Sequence, residues 1–297
     1  MKRILVPTDF SSCAAAAADV AVDLAERHGA EVHLYTRVHV HPLWDQLPER
    51  TPADFPESFA RISKAKKQFQ KLRQCYQGRS PRLISSYSHG DLIQVLGRYI
   101  DQERIDLIVM GSHGQRNGVG GFLFGSNAQK IVKHAPCPVI VVRDAIAKPR
   151  WNNVIFASDF REEARASFEH LLRFTQPMQS QLHLVRISAP ASFSYHQEAS
   201  SDDHIDDFSR LGDQARCQIH DFGRQDLETG LHQLVQETKA DLVAVAHYGK
   251  PSLKRIFTTG LAEALINRLD IPVMVLNNGL AADWYALDEP VSHAHAH

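Results

Sequence analysis

The chain has 297 residues, a length that argues for two domains, and its 43% hydrophobic and 23% charged content is that of a globular protein rather than a disordered one. Its 33 Lys+Arg against 34 Asp+Glu leave a formal net charge of −1, which excludes a chain-wide basic field for nucleic acid or an anionic membrane. No apolar run reaches the ~20 residues needed to cross a bilayer, and Met1–Asp9 holds no secretory apolar core, so the expectation is a cytoplasmic protein.

In chain order, β-branched runs near 3–7, 31–38, 82–87, 106–110 and 138–142 predict strands. Helical patterns fall between them, near 12–28, 57–77, 91–103 and 124–134. The first helix opens on the capping residues Ser11-Ser12 and is followed by Gly29. A linker with Pro149 spans Asp144–Arg150, after which strands are predicted near 153–157, 182–187, 216–222, 241–246 and 272–276. Beyond Asn278 the pattern dissolves into a tail ending in Ala-spaced His293, His295 and His297, read as solvated rather than metal-binding.

The second series repeats the first. Ile4–Phe10 is matched by Val154–Phe160, an apolar run ending in Asp-Phe and displaced by 150 positions, whereas Asp106–Val109 is matched by Asp241–Ala244, displaced by 135. The second copy is therefore shorter in its middle, where polar Ser200–Gln214 stands opposite the long helical stretch Glu57–Tyr76. Strands alternating with helices specify an α/β fold, here two doubly wound parallel five-stranded sheets in tandem with ligands at the carboxyl ends of the strands. The expected boundaries are 1–145 and 150–278, with 279–297 as the tail. Cys13, Cys75, Cys137 and Cys217 form no C-x-x-C pair and are expected to be reduced and packed.

Three features of the first copy converge. Asp9 directly follows the first strand, where its carboxylate either caps the first helix or meets a ligand. Gly111–Asn127 then follows the fourth strand with six glycines among residues 111–125, a composition suited to an anion nest. This stretch ends on a helix with Ala128, Ile131, Val132 and Ala135 on one face, and Ser126 with Gln129 has capping-box spacing. A phosphate would meet glycine amides, a hydroxyl and the positive end of a helix dipole together. No G-x-x-x-x-G-K-[ST] occurs and no G-x-G-x-x-G follows the first strand, so P-loop NTPase and dinucleotide readings lack carriers. Ser112 with His113 has no third group to orient it, and no catalytic residue is assigned. His33, His39 and His41 are read as surface histidines, and no metal ligands are assigned.

Pro7-Thr8-Asp9-Phe10-Ser11, Gly90-Asp91, Asp106–Gly114, Gly125-Ser126-Asn127 and His134–Val139, in that order, resemble the universal stress protein family, and the whole chain resembles a tandem member. ATP-binding members carry glycine, two residues, glycine, nine residues, then glycine with Ser or Thr. Gly111, Gly114 and Gly125-Ser126 match, with ten residues where the pattern has nine. The resemblance implies that Asp9 contacts the adenine or ribose side and that Arg37 and Val38 flank the base. Met110, Gly111, Gly114, Gly125, Ser126 and Asn127 would complete the site around ribose and phosphates. It implies ATP as the ligand, with Mg²⁺ left open beside it, in a stress-response binding module. Slow hydrolysis, another nucleotide-dependent activity or a nucleotide-free interaction role stand as alternatives. The second copy keeps Asp159 but has Ala246 for the first glycine and Gly260-Leu261 where the hydroxyl belongs, so it is read as degenerate and structural or regulatory. The family's dimerisation edge further implies that the fifth strands, Val139–Val142 and Val273–Leu276, pair within the chain, leaving a homodimer permitted but not demanded.

Overall fold

The computed structural model describes residues 1–47, 49–112, 125–143, 150–187, 202–220, 227–248, 253–278 and 294–295. The first half runs β1 (Arg3–Pro7), α1 (Ser12–His28), β2 (Glu31–Arg37), α2 (Pro56–Cys75), β3 (Leu83–Ser88), α3 (Leu92–Gln102), β4 (Leu107–Gly111), α4 (Ser126–His134) and β5 (Val139–Val142). The second repeats it with β6 (Asn153–Ser158), α5 (Arg165–Thr175), β7 (Gln181–Arg186), α6 (Asp202–Leu211), β8 (Cys217–His220), α7 (Leu227–Thr238), β9 (Leu242–Tyr248), α8 (Leu253–Arg268) and β10 (Val273–Asn278). A last strand, β11, is Ala294–His295.

Each half is a parallel five-stranded unit, and the two are continuous in one sheet of order β11-β3-β2-β1-β4-β5-β10-β9-β6-β7-β8. At the seam β10 runs antiparallel to β5, with Met274 opposite Ile140. Strand alternation splits the core by face: Ile4 and Val6 pack with α1, α2 and their second-half counterparts, whereas Leu5 packs with α3, α4, α7 and α8. α1 and α2 therefore lie on one face of the sheet and α3 and α4 on the other.

The repeated acidic residue before the fourth strand holds the start of the first strand in both halves. Asp106 Oδ2 accepts from the Lys2 and Arg3 amides at 2.6 and 2.9 Å, and Asp241 Oδ2 from those of Asn152 and Asn153 at 2.7 and 3.2 Å. The seam is also reciprocal. Arg143 donates from its guanidinium to the Leu269 carbonyl just past α8 (3.1 Å), and Asn277 Nδ2 to the Val132 carbonyl in α4 (3.2 Å).

Some expectations need correction. Ala294–His295, expected to fall in a patternless tail, forms a strand that pairs antiparallel with β3, opposite Tyr87 and Ser86. Ser200–Gln214 contains a helix, α6, whose Ile205 and Phe208, three apart, are both buried. Of the four cysteines, which are all free, Cys75 is exposed. Burial pushes the Cys137 thiol up to about 12. The 144–149 linker lies outside the described residues.

Candidate functional site

The turn after β1 aims the site. Phe10 adopts a left-handed φ of 63°, costly for an aromatic residue, and its amide donates to Thr8 Oγ1 at 3.0 Å. Its ring meets Phe69 of α2 edge-on, with centroids 5.1 Å apart. Asp9 is not the cap of α1: Ser11 is, accepting from the Ala14 amide at 3.2 Å, while Asp9 Oδ1 accepts from the Ser11 amide at 3.0 Å. The Asp9 side chain thus faces a cleft above the strand ends.

That cleft has a volume of about 860 Å³ and is lined by Asp9, Arg37, Val38, Met110, Gly111, Gly125, Ser126 and Asn127. These are eight of the nine residues singled out from sequence; the ninth, Gly114, and the neighbouring His113 lie outside the described residues. Pro7, Val38, Met110 and Ile131 contribute apolar surface to the cleft, and Asp9 and Arg37 contribute opposite charges.

The loop end of α4 departs from the capping-box expectation. Gly125 is the cap residue, with no side-chain bond to the helix, and Ser126 is already the first helical residue. By contrast, Ser11 caps α1 and Asp91 caps α3, accepting from Ile93 and Gln94 at 3.0 and 3.2 Å. An uncapped helix start leaves its first amides, those of Ser126, Asn127 and Ala128, without an intrahelical acceptor. Gly111 is demanded by packing as well as by the cleft: a Cβ there would stand 2.7 Å from Cys13 Sγ and 3.0 Å from the Cys13 carbonyl carbon. Ser112 is buried with its hydroxyl 3.9 Å from Cys13 Sγ.

Helix α2 supplies a further wall that the sequence alone did not place. Arg61, Lys64, Ala65 and Gln68 of α2 line the same cleft. Their spacing of i, i+3, i+4 and i+7 marks one helical face and was visible in the sequence, but nothing local said which face met the site. The reading of His33 as a surface residue also fails. It is fully buried, its Nδ1 2.8 Å from the Tyr99 hydroxyl, and burial lowers its pKa. The Tyr99 hydroxyl lies 3.0 Å from Ser86 Oγ and is pushed up to about 12 by burial. Tyr35, at the cleft, bonds Ser88. His39 and His41 are exposed, and no group of three metal-ligating side chains occurs among the described residues.

The second half reproduces the turn in different surroundings. Phe160 has φ 51°, its amide donates to Ser158 Oγ at 3.1 Å, and its ring packs edge-on against Phe208 of α6. Asp159, however, is paired with Arg161 at 3.5 Å. Helix α8 begins at Leu253, so Gly260 and Leu261, the counterparts of Gly125 and Ser126, are helix interior, and Leu261 is buried.

A model of the universal stress protein family matches residues 1–143 and again 150–277. A universal stress protein from Methanocaldococcus jannaschii is 27% identical over 150 residues, covering 48% of this chain and 82% of its own. One from Thermus aquaticus is 34% identical over 145 residues, covering 48% and 98%. Among solved structures, a universal stress protein from Archaeoglobus fulgidus superposes with a TM-score of 0.70 at 16% identity over 93% of this chain and 98% of its own, a likeness of fold.

Proposed function

The chain belongs to the universal stress protein family, and from that membership we propose that its first half is a nucleotide-binding module for ATP while its second half is a structural or regulatory partner. The observation that carries this reading is the uncapped start of α4, opening on a cleft lined by Asp9, Val38, Met110 and Ser126. A cleft of about 860 Å³ has the size of a small-molecule site, and its lining mixes apolar side chains such as Val38, Met110 and Ile131 with polar ones such as Asp9, Arg37 and Ser126. In this reading Val38, Met110 and Ile131 take the base, and Asp9 and Gly111 lie beside the ribose. The amides of Ser126 to Ala128 take phosphate oxygens, as helix starts do.

Asp9 is the one carboxylate among the described residues that line the cleft. A single carboxylate suits a Mg²⁺ ion held mainly by phosphates and water rather than by a protein cage. The role is binding and signalling, with the seam between β5 and β10 as the joint through which the halves act as a unit. A homodimer through those strands is not required, since each already covers the other.

Titration calorimetry of the full chain tests the reading. About one ATP per chain is expected, with affinity lost in Asp9→Ala and lowered in Ser126→Ala by the about 0.5–1.5 kcal/mol of a neutral hydrogen bond or more if charge-assisted. A ratio near two, or binding that falls with Asp159→Ala instead, overturns the assignment of the first half.

A further inference from the structure

We propose that Arg61 and Lys64 of α2 make this cleft read the number of phosphates on its ligand, gripping the outermost phosphate of a nucleoside triphosphate. The inference rests on the nucleotide reading above and adds a wall to it. Both cations line the cleft from α2, which packs on the α1 face of the sheet. The start of α4 lines it from the opposite face, where Ala128 and Ile131 are buried. A ligand whose inner phosphates sit at α4 therefore has cations across from it, beyond the reach of the helix dipole's first turn.

The wall is held in place. Phe69 is clamped by Phe10, Ser58 Oγ accepts from the His41 amide at 3.0 Å, and Tyr76 donates from its hydroxyl to Asp19 at 2.8 Å. Arg61 is further anchored by donating to the His39 carbonyl at 3.2 Å and to Glu57 at 3.1 Å. Its guanidinium has five N–H donors, so these two bonds leave others for phosphate oxygens. Lys64 is exposed and adds a mobile point charge. Among the described cleft-lining side chains Arg37, Arg61 and Lys64 stand against the acid Asp9, and with Glu57 beside Arg61 counted the balance is still positive and favours each additional negative charge on the ligand. In the second half α6, the counterpart of α2, exposes Asp206 and Asp207, the latter paired with Arg210 at 2.9 Å.

The experiment is calorimetric titration of the full chain with ATP, ADP and AMP at fixed salt, for the native protein and for Arg61→Gln/Lys64→Gln. The native protein should rank ATP above ADP above AMP. The variant should lose at least about tenfold in ATP affinity, equivalent to about 1.4 kcal/mol, while AMP affinity changes less than about twofold. Arg61→Lys/Lys64→Arg should retain most of the ranking, because the charge stays. Native binding of ATP and AMP with equal affinity overturns the inference and leaves the nucleotide reading standing. So does an equal loss for all three ligands in the variant, which marks a structural effect. Native protein that binds none of the three overturns both.

Discussion

At one point of the repeat the first half starts a helix at Ser126, and the second half, at Leu261, is already inside one that began at Leu253. The strands, the left-handed Asp-Phe turn and the Asp106 and Asp241 clamps are shared, so the two copies keep the same scaffold. What differs is where helix amides come free. A helix running through this place bonds its amides to its own carbonyls, so none comes free there although the sheet below is the same. Three smaller differences point the same way: Ala246 for Gly111, Arg161 for Ser11, and acidic α6 for basic α2. Each is a comparison that substitution can test.

The largest effect belongs to a position where the halves serve each other. Trp151, the counterpart of Met1, is fully buried, meets Phe174 edge-on at 5.6 Å and donates from Nε1 to Asp23 of α1 at 3.1 Å. Trp151→Ala should cost about 3–5 kcal/mol in urea unfolding, the range for aromatic truncation in a core. If the halves are coupled through this contact, near-ultraviolet signals from both should melt together in the native protein and separate in the variant.

The Gly111 and Ala246 pair comes next. Gly111→Ala should destabilise by about 1–3 kcal/mol through overpacking, because the methyl group meets both the side chain and the backbone of Cys13. Ala246 is tolerated in a setting where the facing chain is a 3₁₀ turn, Glu162–Ala164, with α5 starting only at Arg165. Ala246→Gly should therefore recover little. Equal costs at the two positions would show that helix placement is not what separates the halves.

The sequence made legible whatever has a short period or a fixed offset. Strands such as Arg3–Pro7 and Val139–Val142 follow from β-branched runs, and the Asp-Phe repeat located both turns. It also placed Asp9, Gly111 and Ser126 at one cleft. It did not show which face of α2 meets that cleft, since Phe69 on Phe10 sets that from 59 positions away. Nor did it show that His33 is buried, because alternation along a strand cannot tell a one-sided face from a covered one. The pairing of Ala294–His295 with β3 carries no local signal, being a backbone contact that any extended segment could make. α8 begins before Gly260, and a glycine inside a helix costs only ~1 kcal/mol, so its presence did not mark a boundary.

Histidines at one register give the third test. His33 pairs with position 5 and His183 with position 155 of the preceding strand, but their partners differ. His33 meets the Tyr99 hydroxyl, whereas His183 Nδ1 lies 3.0 Å from His220 Nε2, and burial followed by repulsion from His220 lowers the pKa of His183 to about 4. A folded pKa below the unfolded 6.5 means that the unfolded chain binds the proton first. Stability is thus intact above pH 6.5 and falls as pH drops toward 4, by up to about 1.4 kcal/mol per unit for each such histidine. His183→Gln should flatten this slope in urea titrations between pH 6.5 and 4. An unchanged slope would place the linkage in other histidines, such as His28, which burial also lowers to about 4.

The smallest expected effect compares the residue two places after each aspartate. Ser11 caps α1 through its hydroxyl, so Ser11→Ala should cost about 1 kcal/mol, the usual price of a lost N-cap. Arg161 occupies the matching place but caps nothing: the turn it precedes shows no side-chain cap, and its contribution is an ion pair with Asp159 at 3.5 Å from a side chain more than half exposed. Solvent screens such a pair, and Arg161→Ala should stay within about 0.5 kcal/mol. Arg161→Ser separates stability from binding. It removes the cation beside Asp159 but leaves α8 running through Gly260, so ATP stoichiometry should remain about one per chain. A second ATP appearing in that variant would assign the difference between the halves to the ion pair rather than to the early start of α8.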